Sequence, residues 1–265
     1  VLTPQEIEEL MEIMRGFKQE GKSILFITHK LNEIMEVADR CTVLQKGRGI
    51  GTVEIANTTK EELSRMMVGR DVEFAVEKKP SEPGRTILEV DDLVVASKVH
   101  KNNAVKGVSF AVHAGEIVCV AGIEGNGQSE LVYGLTGLEK VVSGTVKLNG
   151  QDITNAPIRT RSKDGMSHIP EDRHKHGLVL DYTLANNLVL QRYWEPQFQN
   201  HGFIKKNEVI SYANRLIEQY DVRSGQGAQT IARSMSGGNQ QKAIIAREID
   251  RDPKLLVAVQ PTRGL

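Results

Sequence analysis

Glu116-Ile117-Val118-Cys119-Val120-Ala121-Gly122-Ile123-Glu124-Gly125-Asn126-Gly127-Gln128-Ser129-Glu130-Leu131-Val132-Tyr133-Gly134-Leu135 carries three signals in succession. From Ile117 to Ala121 the chain is apolar and rich in β-branched residues, the pattern of a strand buried on both faces of a parallel sheet. Gly122, Gly125 and Gly127 then punctuate a loop, and Glu130 to Leu135 follow with helical spacing. Strand, glycine-rich loop and helix, in that order, make a phosphate-binding loop of the Walker A kind. The glycines let backbone N–H groups turn inward around an anion, and Ser129 stands where a hydroxyl meets Mg²⁺. Glu124, Asn126 and Glu130 complete the candidate nucleotide contacts of this loop. One residue departs from the pattern: Gln128 occupies the lysine position. At ~4 Å and an effective dielectric of ~20 the missing charge is worth roughly 4 kcal/mol before desolvation, which a neutral amide does not replace.

A second phosphate-facing corner is predicted downstream. Ser236-Gly237-Gly238-Asn239-Gln240 opens a helical stretch that Asp252-Pro253 ends, and Leu255 to Val259 reads as a short buried strand. A helix start presents unpaired N–H groups and a positive dipole end, and two glycines let a phosphate come close. Ser236 adds a hydroxyl that caps the helix or donates to a phosphate oxygen. Taken alone, Ser-Gly-Gly is an ordinary turn. It gains meaning from the loop upstream.

Composition sets the class. The 265 residues are 39% hydrophobic, enough for a substantial core in one large or two smaller domains. Lys plus Arg is 34 against 34 for Asp plus Glu, so no net field recruits nucleic acid or an anionic bilayer. Cys41 and Cys119 lie far apart in apolar runs and read as reduced core residues. No run approaches the ~20 apolar residues of a membrane span.

The front of the chain predicts its own succession of elements. Thr3 with Glu6 forms a capping box, Pro4 suits a first helical position, and Ile7, Leu10, Met11, Met14 and Phe17 share a helix face. Ser23 to Thr28 reads as a buried strand with His29 at its end, followed by a helix over Leu31 to Ala38 and strands at Cys41–Leu44 and Gly51–Glu54. A short helix spans Thr59 to Val68. Glu77 to Gly84, charged and broken by two prolines, reads as a linker. Strands follow at Thr86–Val90, Val105–Val112 and Gly144–Leu148, with helices near Thr183–Leu190 and Lys206–Tyr220.

With loop, Ser-Gly-Gly turn and following strand in this order, the chain resembles the ATP-binding cassette (ABC) ATPases. Pro170-Glu171-Asp172-Arg173-His174-Lys175-His176-Gly177-Leu178-Val179, Asn187 to Gln191 and Gln260-Pro261-Thr262-Arg263-Gly264-Leu265 are most similar to simple-sugar and nucleoside importers, and within them to the nucleoside-importing branch. Those importers carry two fused cassettes. The resemblance implies an α/β fold, a P-loop NTPase cassette of mixed sheet, flanking helices and an α-helical subdomain, preceded by the C-terminal part of another cassette. It divides the chain into residues 1–70 of a first cassette, a linker at 71–85, and a second cassette at 86–265 that stops at its D-loop, so that the sequence is expected to be an internal fragment. Residues 1–70 either dock on the second cassette or sit apart from it.

The resemblance also implies roles. His29 matches the switch histidine. Glu171 holds the Q-loop place, with glutamate where most cassettes have glutamine. Val259 and Gln260 stand where the family has a metal-binding aspartate and a catalytic glutamate, so Gln260 marks a degenerate catalytic position and the second cassette's own site turns ATP over poorly. Ser236, Gly237, Gly238 and Gln240 are implied to cap ATP held by the opposing cassette. The aromatic that stacks on adenine is not evident; Val99 and His100 fall nearest. ATP and Mg²⁺ are the implied cofactors, with Ser129 as a weak metal ligand. Two permease subunits, an opposing cassette and, indirectly, a substrate-binding lipoprotein are the implied partners, at the cytoplasmic face of a bacterial membrane.

Blander readings stand beside these. His29 alone is a polar residue finishing a strand, Glu171 a solvated carboxylate, and His174-Lys175-His176 a solvated loop without ligand-like spacing. Trp194 and Tyr193 are local packing or a face for the membrane partner. Three functions follow: an importer ATPase; a soluble ABC protein on ribosomes or DNA, which would favour a basic arm or zinc ligands; and a nucleotide-binding structural or regulatory module without turnover.

Overall fold

The computed structural model describes residues 4–45, 47–69, 82–97, 102–123 and 125–265. The expected linker lies mostly outside them, as do Thr3, Val99, His100 and Glu124. The chain forms two compact units, Val1–Lys79 and Pro80–Leu265.

The first unit contains helices α1 (Pro4–Gln19) and α2 (Leu31–Val37), strands β1 (Arg40–Gln45) and β2 (Arg48–Glu54), and helix α3 (Lys60–Val68). The two strands pair antiparallel, Arg40 opposite Glu54. Ile34, Val43, Ile55 and Leu63 form its core. The Thr59 side chain accepts from Glu62 N–H at 3.2 Å to cap α3, and Gly69 ends it at φ 81°. Of the apolar face expected on α1, Met11 and Met14 are buried whereas Leu10 and Phe17 are exposed.

The second unit holds strands β3 (Thr86–Ala96), β4 (Asn103–His113), β5 (Val141–Leu148) and β6 (Gln151–Asp152) in an antiparallel sheet of order β4-β3-β5-β6. Helix α4 (Gln128–Thr136) lays Leu131 and Leu135 into the core made by Leu88, Leu93 and Val146. Helix α5 (Ile158–Lys163) leads to β7 (Met166–Ile169), which pairs parallel with β10 (Leu255–Ala258). A helical subdomain stands between these two strands in sequence: α6 (Leu184–Val189), a small hairpin of β8 (Gln199–Asn200) and β9 (Phe203–Ile204), α7 (Lys206–Gln219) and α8 (Gly237–Ile249). Leu184, Leu188, Phe198, Val209, Leu216 and Ala243 pack its interior. Tyr212 donates to Asp250 at 2.9 Å, and Arg215 grips the same carboxylate with bonds of 2.7 and 3.0 Å. Burial, then Asp250, pushes the Tyr212 phenol up to about 12.

Two expected strands do not form. Ser23–Thr28 joins no ladder, and Leu25 and Ile27 are 95% and 96% exposed. Glu116–Ala121 likewise joins none, and Ile117 is 89% exposed. An apolar run becomes a buried strand only where neighbours take its N–H and C=O groups and cover its faces. Cys119, expected in the core, is therefore exposed, whereas Cys41 is half-buried on β1.

Candidate nucleotide site

Three loops of the second unit meet at Glu171. In the parallel pair, Ala258 stands opposite Ile169, so Gln260 and Glu171, each two residues beyond its strand, emerge side by side. Ser129 Oγ at the start of α4 donates to Glu171 Oε2 at 3.0 Å, and Gln260 Nε2 lies 3.5 Å from Glu171 Oε1. The Gln260 backbone takes φ 45°, left-handed for a residue with a side chain. A phosphate-loop hydroxyl, the carboxylate after β7 and the amide after β10 thus share one corner.

The glycine loop turns on two left-handed residues. Gly125 and Gly127 take φ 92° and 94°. A Cβ on Gly127 would meet the Ala104 carbonyl oxygen at 2.7 Å, so this position admits only glycine. Gln128 departs from what a lysine would do: its Nε2 donates to the Ile123 carbonyl at 3.0 Å, folding back across Gly122. The amide thus ties the loop to itself.

The second corner begins at Ser236, the N-cap of α8. Its backbone is extended, and its hydroxyl bonds no α8 N–H but accepts from Asn239 Nδ2 at 2.8 Å. Gly237 and Gly238 follow in the first turn, half-buried. Gln240, expected to face nucleotide, turns inward. Its side chain is buried, Nε2 donates to Ala232 O at 2.9 Å, and Oε1 lies 3.0 Å from His174 Nε2. Because the amide nitrogen is spent on a carbonyl, its oxygen accepts, and His174 carries its proton on Nε2.

That contact shows what the sequence did not disclose. His174-Lys175-His176 is no free loop but part of a π turn, Arg173–Gly177, capped by Asp172, which accepts from His174 N at 2.9 Å and Lys175 N at 3.1 Å. Those N–H groups, Lys175 foremost, hold the Asp172 carboxyl below its ordinary range. His176 stacks edge-on against Tyr133 of α4, with ring centroids 5.5 Å apart.

Beneath α8 lies a buried polar knot. Glu248, wholly buried, accepts from Arg247 Nε at 2.8 Å, from Gln191 Nε2 at 2.9 Å and from His168 N at 3.3 Å. Arg247 in turn donates to Gly177 O at 2.8 Å. The knot ties α8 to β7, to the π turn and to the segment after α6. Burial pushes the His168 imidazole down to about 4 against the pull of Glu248, so it is neutral at pH 7.

His29 is exposed on a turn of the first unit, next to Thr28, whose hydroxyl donates to Glu33 at 2.8 Å. Trp194 donates to Gln191 O at 3.2 Å and carries Lys163 and Arg159 over its ring, at 4.4 and 5.3 Å. Among the described residues no group of three or more metal-ligating side chains occurs, and no helix is long and apolar enough to cross a membrane.

Residues 105–263 match the family model described as ABC transporter. Over its whole length the chain is 53% identical to the nucleoside import ATP-binding protein NupA of Lactococcus lactis, covering 52% of that protein. It is 51% identical to the guanosine import ATP-binding protein NupO of Bacillus subtilis, again across all of this chain and 52% of the relative. The glucose import ATP-binding protein TsgD13 of Haloferax volcanii is 41% identical over the whole chain, which covers 48% of it. The chain therefore spans about half the length of these relatives. Among solved structures, a dimeric ATP-binding cassette in a post-hydrolysis state with ADP and phosphate is similar at TM-score 0.56 and 21% identity, over 68% of this chain and 76% of the other. That likeness bears on the fold alone. With the family model covering more than half of the chain, and the glycine loop and the Ser236 turn inside the matched span, this protein belongs to the ABC transporter family.

Proposed function

We propose that this chain is part of the ATP-binding subunit of a nucleoside importer, in which ATP binding and hydrolysis drive uptake. The observation that carries this reading is identity above half to two proteins named for nucleoside and guanosine import, sustained from end to end. The subunit sits on the cytoplasmic face of a membrane against two permease subunits, and a substrate-binding lipoprotein delivers the solute. Residues 1–70 belong to a first cassette, 71–85 to a linker and 86–265 to a second.

Within the second cassette the backbone amides of Gly125 to Ser129 cradle the phosphates, aided by Asn126 and Glu130 and, in the same loop, Gly122 and Glu124. Mg²⁺ fits here in part: Ser129 Oγ and the Glu171 carboxylate, 3.0 Å apart, are the hard oxygen donors it takes, and when bound it neutralises phosphate charge. Val259 adds no oxygen. Gln260 holds its amide toward Glu171 and has no basic atom to take a proton from water. Gln128 binds its own loop instead of a phosphate. This site therefore holds nucleotide and turns it over slowly. Ser236, Gly237 and Gly238 face the nucleotide of the opposing cassette, whose switch residue is His29, while Gln240 sets the turn from within.

The test is turnover in the protein assembled with its permease. Replacing the first cassette's catalytic glutamate is expected to abolish nearly all ATP hydrolysis. If hydrolysis persists until Gln260 itself is altered, the division of labour between the two sites is wrong. Uptake of radiolabelled guanosine and of ribose, measured side by side, separates nucleoside from sugar.

A further inference from the structure

Residues 171–177 run from one glycine corner to the other. At the near end Glu171 accepts from Ser129 Oγ, and Asp172 then caps the π turn. Such a turn, closed by i→i+5 bonds, is rare and occurs frequently at functional sites. This one is held from several sides. Leu178 N donates to Arg173 O at 2.8 Å, Asp172 takes the N–H groups of His174 and Lys175, and the buried Arg247 donates to Gly177 O at 2.8 Å. His176 leans edge-on against Tyr133 of α4. Gly177 is closed to any side chain, since a Cβ would stand 2.6 Å from Ile244 Cδ1. The backbone of the turn is therefore fixed, and with it the direction in which His174 leaves.

His174 Nε2 donates to Gln240 Oε1 at 3.0 Å. Gln240 is 4% exposed, and its own Nε2 donates to Ala232 O at 2.9 Å. Ala232 precedes Ser236 by as many residues as Gln240 follows it, so this one amide ties the chain entering the turn to the helix leaving it. A glutamine amide rotated by 180° keeps its shape and exchanges oxygen for nitrogen. Rotated here, it would set its oxygen against the Ala232 carbonyl and lose that bond. The imidazole N–H on Oε1 fixes which way round the amide sits. Without that donor the buried oxygen goes unsatisfied, and the bond to Ala232 loses its preferred orientation.

We propose that His174 is a positioning residue for ATP hydrolysis, acting through Gln240 to hold Ser236, Gly237 and Gly238 in the shape that serves the nucleotide of the opposing cassette. This rests on the reading of Ser236–Gly238 as a nucleotide-facing turn and names what sets its shape from outside α8. His174 bonds Gln240, so its effect falls on geometry. Amides shifted slightly out of place lose more of their hold on charge that develops in the transition state than on the bound ground state.

Steady-state ATP hydrolysis by the protein assembled with its permease tests this. His174→Phe keeps a ring and removes the donor; it is expected to lower kcat about tenfold while changing KM for ATP less than about twofold. His174→Gln, whose amide N–H reaches about as far as imidazole Nε2, is expected to restore most of the rate, and the shorter His174→Asn to restore little. In a Gln240→Leu background His174→Phe should cost nothing further, because the two side chains act as one unit. Unchanged kcat in His174→Phe overturns the proposal, as do losses that add in the double variant. A loss that glutamine does not rescue, with KM raised and the unfolding midpoint lowered, makes the residue structural and overturns it too. Ser236→Ala separates the proposal from the reading beneath it. If Ser236→Ala lowers turnover and His174→Phe does not, the proposal fails and the reading of the turn stands; if neither variant lowers it, both fail.

Discussion

The two glycine corners of the second unit are built to opposite standards. At Gly122–Ser129 the backbone is right, with Gly127 seated against Ala104, yet the charges are missing and the run before it lies bare. At Ser236–Gly238 the helix start stands on a knot of Arg247, Glu248, Gln191 and His168, and the Arg173 guanidinium, without a hydrogen-bond or ion-pair partner among the described residues, lies beside Gly237. Shape without charge holds a phosphate. Shape with charge, rigidly backed, also favours the extra charge that develops as a phosphoryl group transfers. On the proposed reading, the difference means that one chain keeps a binding loop while its better-supported corner serves a nucleotide held elsewhere.

The heaviest blow to this contrast falls on the knot. Glu248→Ala strands the buried Arg247 cation and is expected to cost about 3–5 kcal/mol of stability, read by denaturant unfolding. A loss below ~1 kcal/mol would show that the Ser236 corner is not braced as described. Acid probes the same knot more gently. His168 is held neutral with its pKa lowered to about 4, whereas the unfolded chain takes up a proton near the ordinary value of about 6.5. The stability this brings is present above ~6.5 and lost as pH falls toward ~4, on the order of 3 kcal/mol. His168→Gln should flatten that limb of a pH–stability curve, and an unaltered curve would place the acid response elsewhere.

On the other side of the contrast, Gly127→Ala forces a side chain into a left-handed, crowded position. It is expected to cost about 2 kcal/mol and to abolish ATP binding at the loop, as calorimetric titration would show. The mildest change sharpens the comparison by restoring charge: Gln128→Lys gives up the bond to Ile123 O and should tighten ATP at this loop about tenfold. If affinity is unchanged, the loss of charge is not what separates the corners.

Much of this arrangement was legible in the residues. The loop into α4, the Ser236 helix start, the strand at Leu255–Ala258 and the amphipathic α7 carry local signals in glycine placement, capping and period. Ser23–Thr28 and Ile117–Ala121 misled because strand character there depends on neighbours, and β-branched sequence supplies only the inclination. Cys119 went wrong with its strand. The inward turn of Gln240 and the π turn were out of reach for another reason. Both depend on His174, distant in sequence from α8, and no short pattern encodes that contact. Asp172, a cap residue two positions before His174, was the one local hint that the segment was ordered.

The bare run at Ile117–Ala121 has a practical consequence. Five uncharged residues, three of them β-branched, lie exposed and without ladder bonds, the kind of run that invites edge-to-edge pairing with another chain. Cys119 sits at the middle of the run with its thiol in water, so air oxidation would rivet two aligned copies through sulfur. Reductant, more than temperature or salt, should then set how long a dilute preparation stays monomeric.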